Sequence, residues 1–318
     1  MKELKLLFMG TPAFALPSLE LIRESRHRLA GIVTRPDRPR GRGRRLSVSP
    51  VKEWALKNGV ALSQPAGLKD PSFWEWLEGL APDLVITVAY GKILPPALLD
   101  YPPLGCINLH ASLLPAYRGA APIHRAVMAG EESTGVTVIK MNPQMDAGDI
   151  ILQEAVPIRI DDTTGTLHDR LASLGARLLL QAVDQLASGE AVFKPQDHAA
   201  ATLAPPLTPE EERLDWRRSA WELYNQIRGL NPRPGAFTFF RGRRLKIWRA
   251  APPAPEKGPG EGRPGELLAV SPESFTVAAG DGALTVLEVQ PEGKKAISAG
   301  DFCRGYRVAP GERFDSRE

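Results

Sequence analysis

Cysteine is nearly missing from this chain: Cys106 and Cys303 are the two present in 318 residues, and neither sits in a C-x-x-C pair. A disulfide framework is therefore not expected, and a reduced, cytoplasmic setting is. Histidine is sparse too. His27, His110, His124, His168 and His198 form no H-x-x-x-H pair and no Cys/His cluster, so no bound metal is expected. No apolar run approaches the ~20 residues a bilayer span needs, so no membrane partner is expected. The opening Met1-Lys2-Glu3-Leu4-Lys5 runs into Leu6-Leu7-Phe8-Met9 without a small-residue cleavage site and reads as a first strand, not a secretion signal. After that strand Gly10 stands alone where the dinucleotide fingerprint G-x-G-x-x-G would be, which disfavours a nicotinamide cofactor. There are no internal repeats.

What is present describes an ordinary globular chain, 43% apolar and 24% charged, long enough for two domains. The net charge of +3 is too small to diagnose a polyanionic partner, but its distribution is uneven. Arginine, alanine and proline are plentiful, as in a GC-rich genome or a heat-adapted source. Between Arg35 and Arg45 six arginines face one acid, Asp37, among two prolines and two glycines. Such a segment forms neither helix nor strand easily, and a loop of this length is usually functional or disordered. Arginine forks suit phosphate oxygens; a solvated loop is the plain alternative. Six arginines all on duplex phosphates would give a logarithmic salt slope of roughly −5.

The first half alternates strands with helices. Strands are expected at 4–9, 29–33, 84–89, 105–110, 135–141 and, at an edge, 151–157. Helices are expected at 13–23, 51–57, 71–77, 95–99, 122–128 and, with a leucine stripe, 163–186. This order predicts a mostly parallel α/β sheet. The stretch Gly105-Cys106-Ile107-Asn108-Leu109-His110-Ala111-Ser112-Leu113-Leu114-Pro115 is its anomaly. It opens like a buried strand, yet Asn108 and His110 occupy alternate positions and so share a face. Buried parallel strands are near-continuous apolar runs, and ligands of open α/β sheets bind past strand carboxyl ends. A satisfied core histidine at a capped strand end explains the pair equally well. Asp146, in a polar turn after a strand, reads by itself as a turn former or cap.

Residues 190–208 are proline-rich and low in pattern, and read as a linker between a domain over 1–189 and another over 209–318. After a short helix at 219–228, the period changes to five short strands at 236–240, 244–249, 266–270, 275–278 and 284–289. They suggest a small closed or half-closed barrel. Arg241, Arg243, Arg244, Lys246 and Arg249 lie beside Phe239, Phe240 and Trp248, an interleaving that fits a nucleic-acid surface.

The run from Gly105 to Pro115, then Tyr117-Arg118-Gly119-Ala120-Ala121-Pro122, then Met145-Asp146-Ala147-Gly148-Asp149, resembles the folate-dependent formyltransferases. Gly10-Thr11-Pro12, the loop with Gly41-Arg42-Gly43, and a carboxyl-terminal part with Asn231-Pro232 and Gly293-Lys294-Lys295-Ala296 resemble the branch whose acceptor is initiator methionyl-tRNA. The resemblance runs from about residue 4 to residue 305. It implies a Rossmann-like, mostly parallel sheet that binds 10-formyltetrahydrofolate as co-substrate, followed by an OB-like barrel that helps bind tRNA, in a monomer. It implies Asn108, His110 and Asp146 as the catalytic set, and Ser112, Leu113, Leu114 and Pro115 on the folate, with Val88, Ala89, Tyr90 and Gly91 on the pterin side. It implies Arg38, Arg40, Arg42, Arg44 and Arg45 toward the tRNA acceptor end, Arg42 foremost. The stretch Ala204-Pro205-Pro206-Leu207-Thr208 departs from relatives, which often carry a lysine there.

The chemistry these residue types allow agrees with that implication. A free α-amine titrates near about 8 and must lose its proton before attacking an acyl carbon. Attack builds negative charge on the formyl oxygen, which an Asn amide and an imidazole N–H can receive, each typically worth about 3 kcal/mol. A carboxylate beside the imidazole can relay protons through water. Neither cysteine lies in a nucleophile motif. A formyltransferase for a small amine would need neither the arginine loop nor the barrel, and an inactive tRNA-binding module would not need Asn108, His110 and Asp146 together.

Overall fold

The computed structural model of the chain describes residues 2–40, 45–254 and 262–315. Two compact units emerge. The first collects residues up to Pro122 with Thr134–Val156 and His168–Pro205, and the second collects Ile123–Ser133, Pro157–Leu167 and the chain from Pro206 on.

The strands of the first unit are β1 (Lys5–Gly10), β2 (Arg28–Val33), β3 (Arg38–Arg40), β4 (Arg45–Ser47), β5 (Leu62–Ser63), β6 (Leu84–Val88), β7 (Cys106–His110), β8 (Arg118–Gly119), β9 (Ser133–Lys140), β10 (Ile150–Pro157) and β11 (Leu203–Ala204). Seven of them form one sheet in the order β10-β9-β7-β6-β1-β2-β5. The pairs β1–β2, β1–β6, β2–β5 and β6–β7 are parallel, and β7–β9 is antiparallel. The centre is mostly apolar, as a parallel sheet covered on both faces requires: Leu6 to Met9 in β1 and Leu84, Val85 and Ile86 in β6 are fully buried. The helices along this part of the chain are α1 (Leu16–Glu24), α2 (Pro50–Lys57), α3 (Pro71–Leu80), α4 (Pro96–Asp100), α5 (Pro122–Ala129), which is counted with the second unit, and α6 (Thr164–Ser188). Several starts are written locally. The Ser49 hydroxyl accepts from the Lys52 N–H ahead of Pro50, and the Asp70 carboxylate accepts from the Ser72 N–H ahead of Pro71. The stripe Leu167, Leu171, Leu174, Leu178 and Leu179 of α6 is buried.

Two stretches differ from expectation. The arginine segment, expected to avoid regular structure, pairs as an antiparallel ribbon: Arg38 with Ser47, Pro39 with Leu46, Arg40 with Arg45. A two-stranded ribbon has free edges, so Pro39 is tolerated without its N–H. The expected linker is held to the first unit almost to its end. Lys194 exchanges both backbone bonds with Ile150, Gln196 is buried, and Leu203–Ala204 runs parallel to β8. Proline content marked a lack of helix there, which is a different property from a lack of contacts.

In the second unit, α7 (Ala220–Gly229) precedes β12 (Ala236–Phe240), β13 (Arg243–Ala250), β14 (Leu267–Val270), β15 (Phe275–Ala278), β16 (Ala283–Pro291), β17 (Ile297–Ser298), α8 (Ala299–Tyr306) and β18 (Phe314–Asp315). The antiparallel order is β14-β15-β16-β13-β12-β18, with β17 on β16. The ends of that order meet: Phe314 N–H donates to the Gly265 carbonyl at 2.7 Å and Leu267 N–H to the Glu312 carbonyl at 2.8 Å. The sheet is therefore curled, as an OB-like barrel is. Its interior holds Phe240, Phe275, Phe302 and Phe314, with Phe275 and Phe314 stacked at 5.1 Å. Two of these come from elements absent from the sequence reading, α8 and β18. The local signal for α8 was Ser298, whose hydroxyl accepts from the Asp301 N–H as an N-cap.

Candidate active site

Three segments leave the sheet side by side at the carboxyl ends of adjacent parallel strands. They are Thr11 after β1, Ala89-Tyr90-Gly91 after β6, and Ala111-Ser112 after β7. Ala89 and Gly91 take the left-handed backbone region, at φ 49° and 78°, which turns the chain sharply out of the sheet. Val88 and Tyr90 are buried. Burial pushes the Tyr90 hydroxyl up to about 12 against the pull of the Arg35 guanidinium, and no described group pairs with that hydroxyl. After Ala111 the chain makes a tight turn held from inside. The Ser112 hydroxyl donates to the Ala116 carbonyl at 2.6 Å, and the Thr137 hydroxyl donates to the Ser112 carbonyl at 2.6 Å while accepting from the Leu114 N–H. Gln153 Nε2 reaches both Thr137 Oγ1 and the Leu114 carbonyl. Ser112 and Leu114 are buried by this, while Leu113 and Pro115 keep partly open surfaces.

Asn108 and His110 point together from β7, and Asp146 comes back to both from the turn after β9. Asn108 Nδ2 approaches Asp146 Oδ1 at 3.4 Å, and His110 Nδ1 lies 3.6 Å from Asp146 Oδ2. Thr87, opposite Asn108 in the parallel register, donates its hydroxyl to Asn108 Oδ1 at 2.7 Å. The amide orientation follows from charge: reversing it would set its oxygen against the Asp146 carboxylate. His110 Nε2 lies 2.9 Å from the Tyr117 carbonyl, which can only accept, so Nε2 carries a proton and Nδ1 is the nitrogen that faces Asp146. His110 is 6% exposed and the Asp146 side chain 15%, so the pair is largely dry.

Asp146 is held from two further sides. Gly119 N–H donates to its Oδ2 at 2.9 Å. Gly119 sits at φ 124°, and a Cβ there would stand 2.7 Å from the Ala204 carbonyl oxygen, so glycine is required by both conformation and space. Asp146 itself is left-handed, at φ 50°. Its carbonyl accepts from Gln196 Nε2 at 2.9 Å, and Gln196 also donates to the Gly148 carbonyl at 2.7 Å. Thr87, Thr137, Gln153, Gly119 and Gln196 are the neighbours that sequence reading missed. Thr87 had a faint signal, a hydroxyl in an otherwise apolar central strand; Gln196 had none.

The arginine residues fare differently. Arg38, Arg40 and Arg45 lie on the backbone ribbon of β3 and β4, and Arg42 and Arg44 fall outside the described residues. In the second unit, part of the expected basic–aromatic interleaving is on the outer face of β12 and β13, whereas Phe240, expected among it, points into the barrel because alternate residues of a strand face opposite sides. On that outer face Arg244 lies 3.7 Å over the Phe237 ring and Lys246 5.0 Å over the Trp248 ring. Arg244 is also paired with Glu212 at 2.8 Å, and Arg241 with Glu312. Among the described residues no three His, Cys, Asp or Glu side chains are grouped to hold a metal ion, and no helix is long and apolar enough to cross a membrane.

Comparison with known proteins agrees with this arrangement. A family model for formyl transferases matches residues 4–183, and one for the formyl transferase C-terminal domain matches residues 206–307. The methionyl-tRNA formyltransferase of Moorella thermoacetica is 53% identical over 309 residues, 97% of this chain and 98% of that protein. That of Symbiobacterium thermophilum is 51% identical over 317 residues, 99% and 96% of the two chains. Among solved structures, HypX from Aquifex aeolicus in complex with tetrahydrofolic acid superposes with a TM-score of 0.66 at 18% identity, over 98% of this chain and 49% of that one. WlaRD, a sugar 3N-formyl transferase, gives 0.67 at 17% identity over 93% of this chain and 100% of that one. By the matched models and by these relatives, the chain belongs to the formyl transferase family.

Proposed function

We propose that this protein moves the formyl group of 10-formyltetrahydrofolate onto the α-amine of methionine carried by initiator tRNA, giving formylmethionyl-tRNA for translation initiation. The observation that carries this reading is the convergence of Asn108, His110 and Asp146 on one point past the sheet. Relatives bearing that activity's name, matched over nearly the whole chain, support the choice of acceptor.

The folate supplies the formyl group as an activated amide on its N10. The residues present fit such a molecule: the buried Tyr90 hydroxyl lacks a partner among the described residues, and the exposed parts of Leu113 and Pro115 offer an apolar wall. Val88, Ala89, Tyr90 and Gly91 flank the pterin side, and Ser112 with Leu114 keeps the turn in shape. At the reacting carbon, Asn108 offers the amide hydrogen that Asp146 does not use to the oxygen on which charge develops. His110 Nδ1 faces the same point and is the second group placed for that oxygen; each positioned donor is worth about 3 kcal/mol in a dry site. Asp146 takes the proton that the attacking amine must lose, directly or through water, and His110 Nδ1 returns one to the departing nitrogen. The first unit performs this chemistry, while the second unit, with the arginine ribbon, holds tRNA; Arg38, Arg40, Arg42, Arg44 and Arg45 meet its phosphates. The enzyme works as a cytoplasmic monomer.

The test is formyl transfer from 10-formyltetrahydrofolate, with methionyl-tRNA, free methionine and an amino-sugar nucleotide as competing acceptors. Strong preference for methionyl-tRNA is expected. Equal or better use of a small amine would overturn the acceptor assignment, and no transfer to any acceptor would overturn the reaction.

A further inference from the structure

Gln196 lies in the stretch that links β10 and α6 to β11, is 6% exposed, and spends its whole hydrogen-bonding capacity. Its two N–H groups go to the carbonyls of Asp146 and Gly148, at 2.9 and 2.7 Å. Its Oε1 accepts from Arg118 Nε and Nη2, at 3.2 and 2.6 Å. The carbonyls can only accept and the guanidinium can only donate, so the amide has one possible orientation. One face of this clamp therefore holds the turn that presents Asp146, and the other holds Arg118. The residue after Arg118 is Gly119, whose N–H grips the Asp146 carboxylate. Backbone and side chain of Asp146 are thus tied to one rigid frame, and Gln196 is its crosspiece. The tie matters because Asp146 is left-handed, a conformation that aspartate tolerates better than most residues but that still favours glycine.

We propose that Gln196 is a positioning residue for the formyl-transfer reaction, acting by fixing where the Asp146 carboxylate stands relative to Asn108 and His110. This rests on the reaction proposed above, and it deepens that reading by adding a member from a part of the chain with no catalytic motif. It touches neither substrate. Its loss should lower turnover while leaving both substrates bound as before.

The experiment compares Gln196→Leu and Gln196→Glu with the full-length wild-type enzyme, once wild type has been shown to formylate methionyl-tRNA. Absence of that wild-type activity would count against the reaction, not against Gln196. Leucine keeps the bulk and removes every hydrogen bond. Glutamate keeps the acceptor for Arg118 and sets an oxygen, where the donors were, against two carbonyls. With rates normalised to the folded fraction from near-UV circular dichroism, kcat is expected to fall 10- to 100-fold in both variants. KM for folate and for tRNA should move less than 3-fold. A kcat within 2-fold of wild type in Gln196→Leu overturns the proposal. So does a loss that appears as matching increases in both KM values, which would mean a merely structural role. Should the leucine variant fail to fold, Gln196→Glu decides alone: wild-type kcat there would overturn the clamp.

Discussion

Thr87 Oγ1 donates to Asn108 Oδ1 at 2.7 Å across two neighbouring parallel strands, and this bond holds the Asn108 amide in the orientation that the Asp146 carboxylate imposes. Thr87→Val keeps the shape and removes the hydroxyl. The amide then loses its only described orienting donor, and a half-buried oxygen goes unpaired, at a cost of at most about 1–3 kcal/mol. A roughly 10-fold fall in kcat is expected, with Thr87→Ser close to wild type. Steady-state kinetics of the two variants check this; a fully active valine variant would remove Thr87 from the site.

His110→Ala should lower turnover at least about 100-fold, the scale of losing one positioned donor and proton carrier. Methionyl-tRNA binding should change little, because His110 is 6% exposed and faces Asp146 rather than the surface. Single-turnover rates with a filter-binding titration separate the two quantities. Near-normal turnover would take His110 out of the mechanism.

Arg42→Ala should weaken use of tRNA far more than binding of folate. If the six arginines from 35 to 45 all neutralise phosphates, the logarithm of tRNA affinity should fall with the logarithm of salt at a slope of roughly −5, less steep by about one after each arginine is removed. Measuring affinity across a salt series decides it, and an unchanged slope in Arg42→Ala would mark that side chain as a solvated bystander.

Alkali should destabilise the fold by an identifiable route. Burial pushes the Cys106 thiol up to about 12 and the Cys303 thiol to about 11, from the ordinary 9, and Tyr90 to about 12 from 10. In the unfolded chain these groups ionise from about pH 9 upward, while in the folded chain they stay protonated. The unfolded state thus holds fewer protons, and stability falls as pH rises from about 9 toward 11–12. The stability these neutral groups contribute is fully present below pH 9. Urea midpoints at pH 8 and pH 10.5 should show the drop, and Cys106→Ala should show a shallower one than wild type. A midpoint flat across that interval would contradict the assigned burial of both thiols.

The amino-acid sequence by itself determined most of the secondary structure of this protein and marked Asn108 and His110 as a polar pair in need of a partner or a task. The helix starts at Ser49-Pro50 and Asp70-Pro71, the apolar strand Leu84–Val88 with Thr87 as its one polar member, and the alternation of buried and open positions in Ala236–Phe240 are short-range consequences of side-chain shape and spacing. Asn108 and His110 stood out because two polar groups on one face of a buried strand are costly unless used. Tertiary structure alone decided what surrounds them. Thr87 and Asn108 are 21 positions apart, Gly119 and Asp146 27 apart, Gln196 and Asp146 50 apart, and no local pattern links such partners. The stretch after residue 190 looked like a linker because it lacks periodicity, but periodicity reports only on regular elements. A buried amide that bridges two carbonyls and a guanidinium leaves no repeating mark on the residues around it, and only the folded chain brings its three partners within reach.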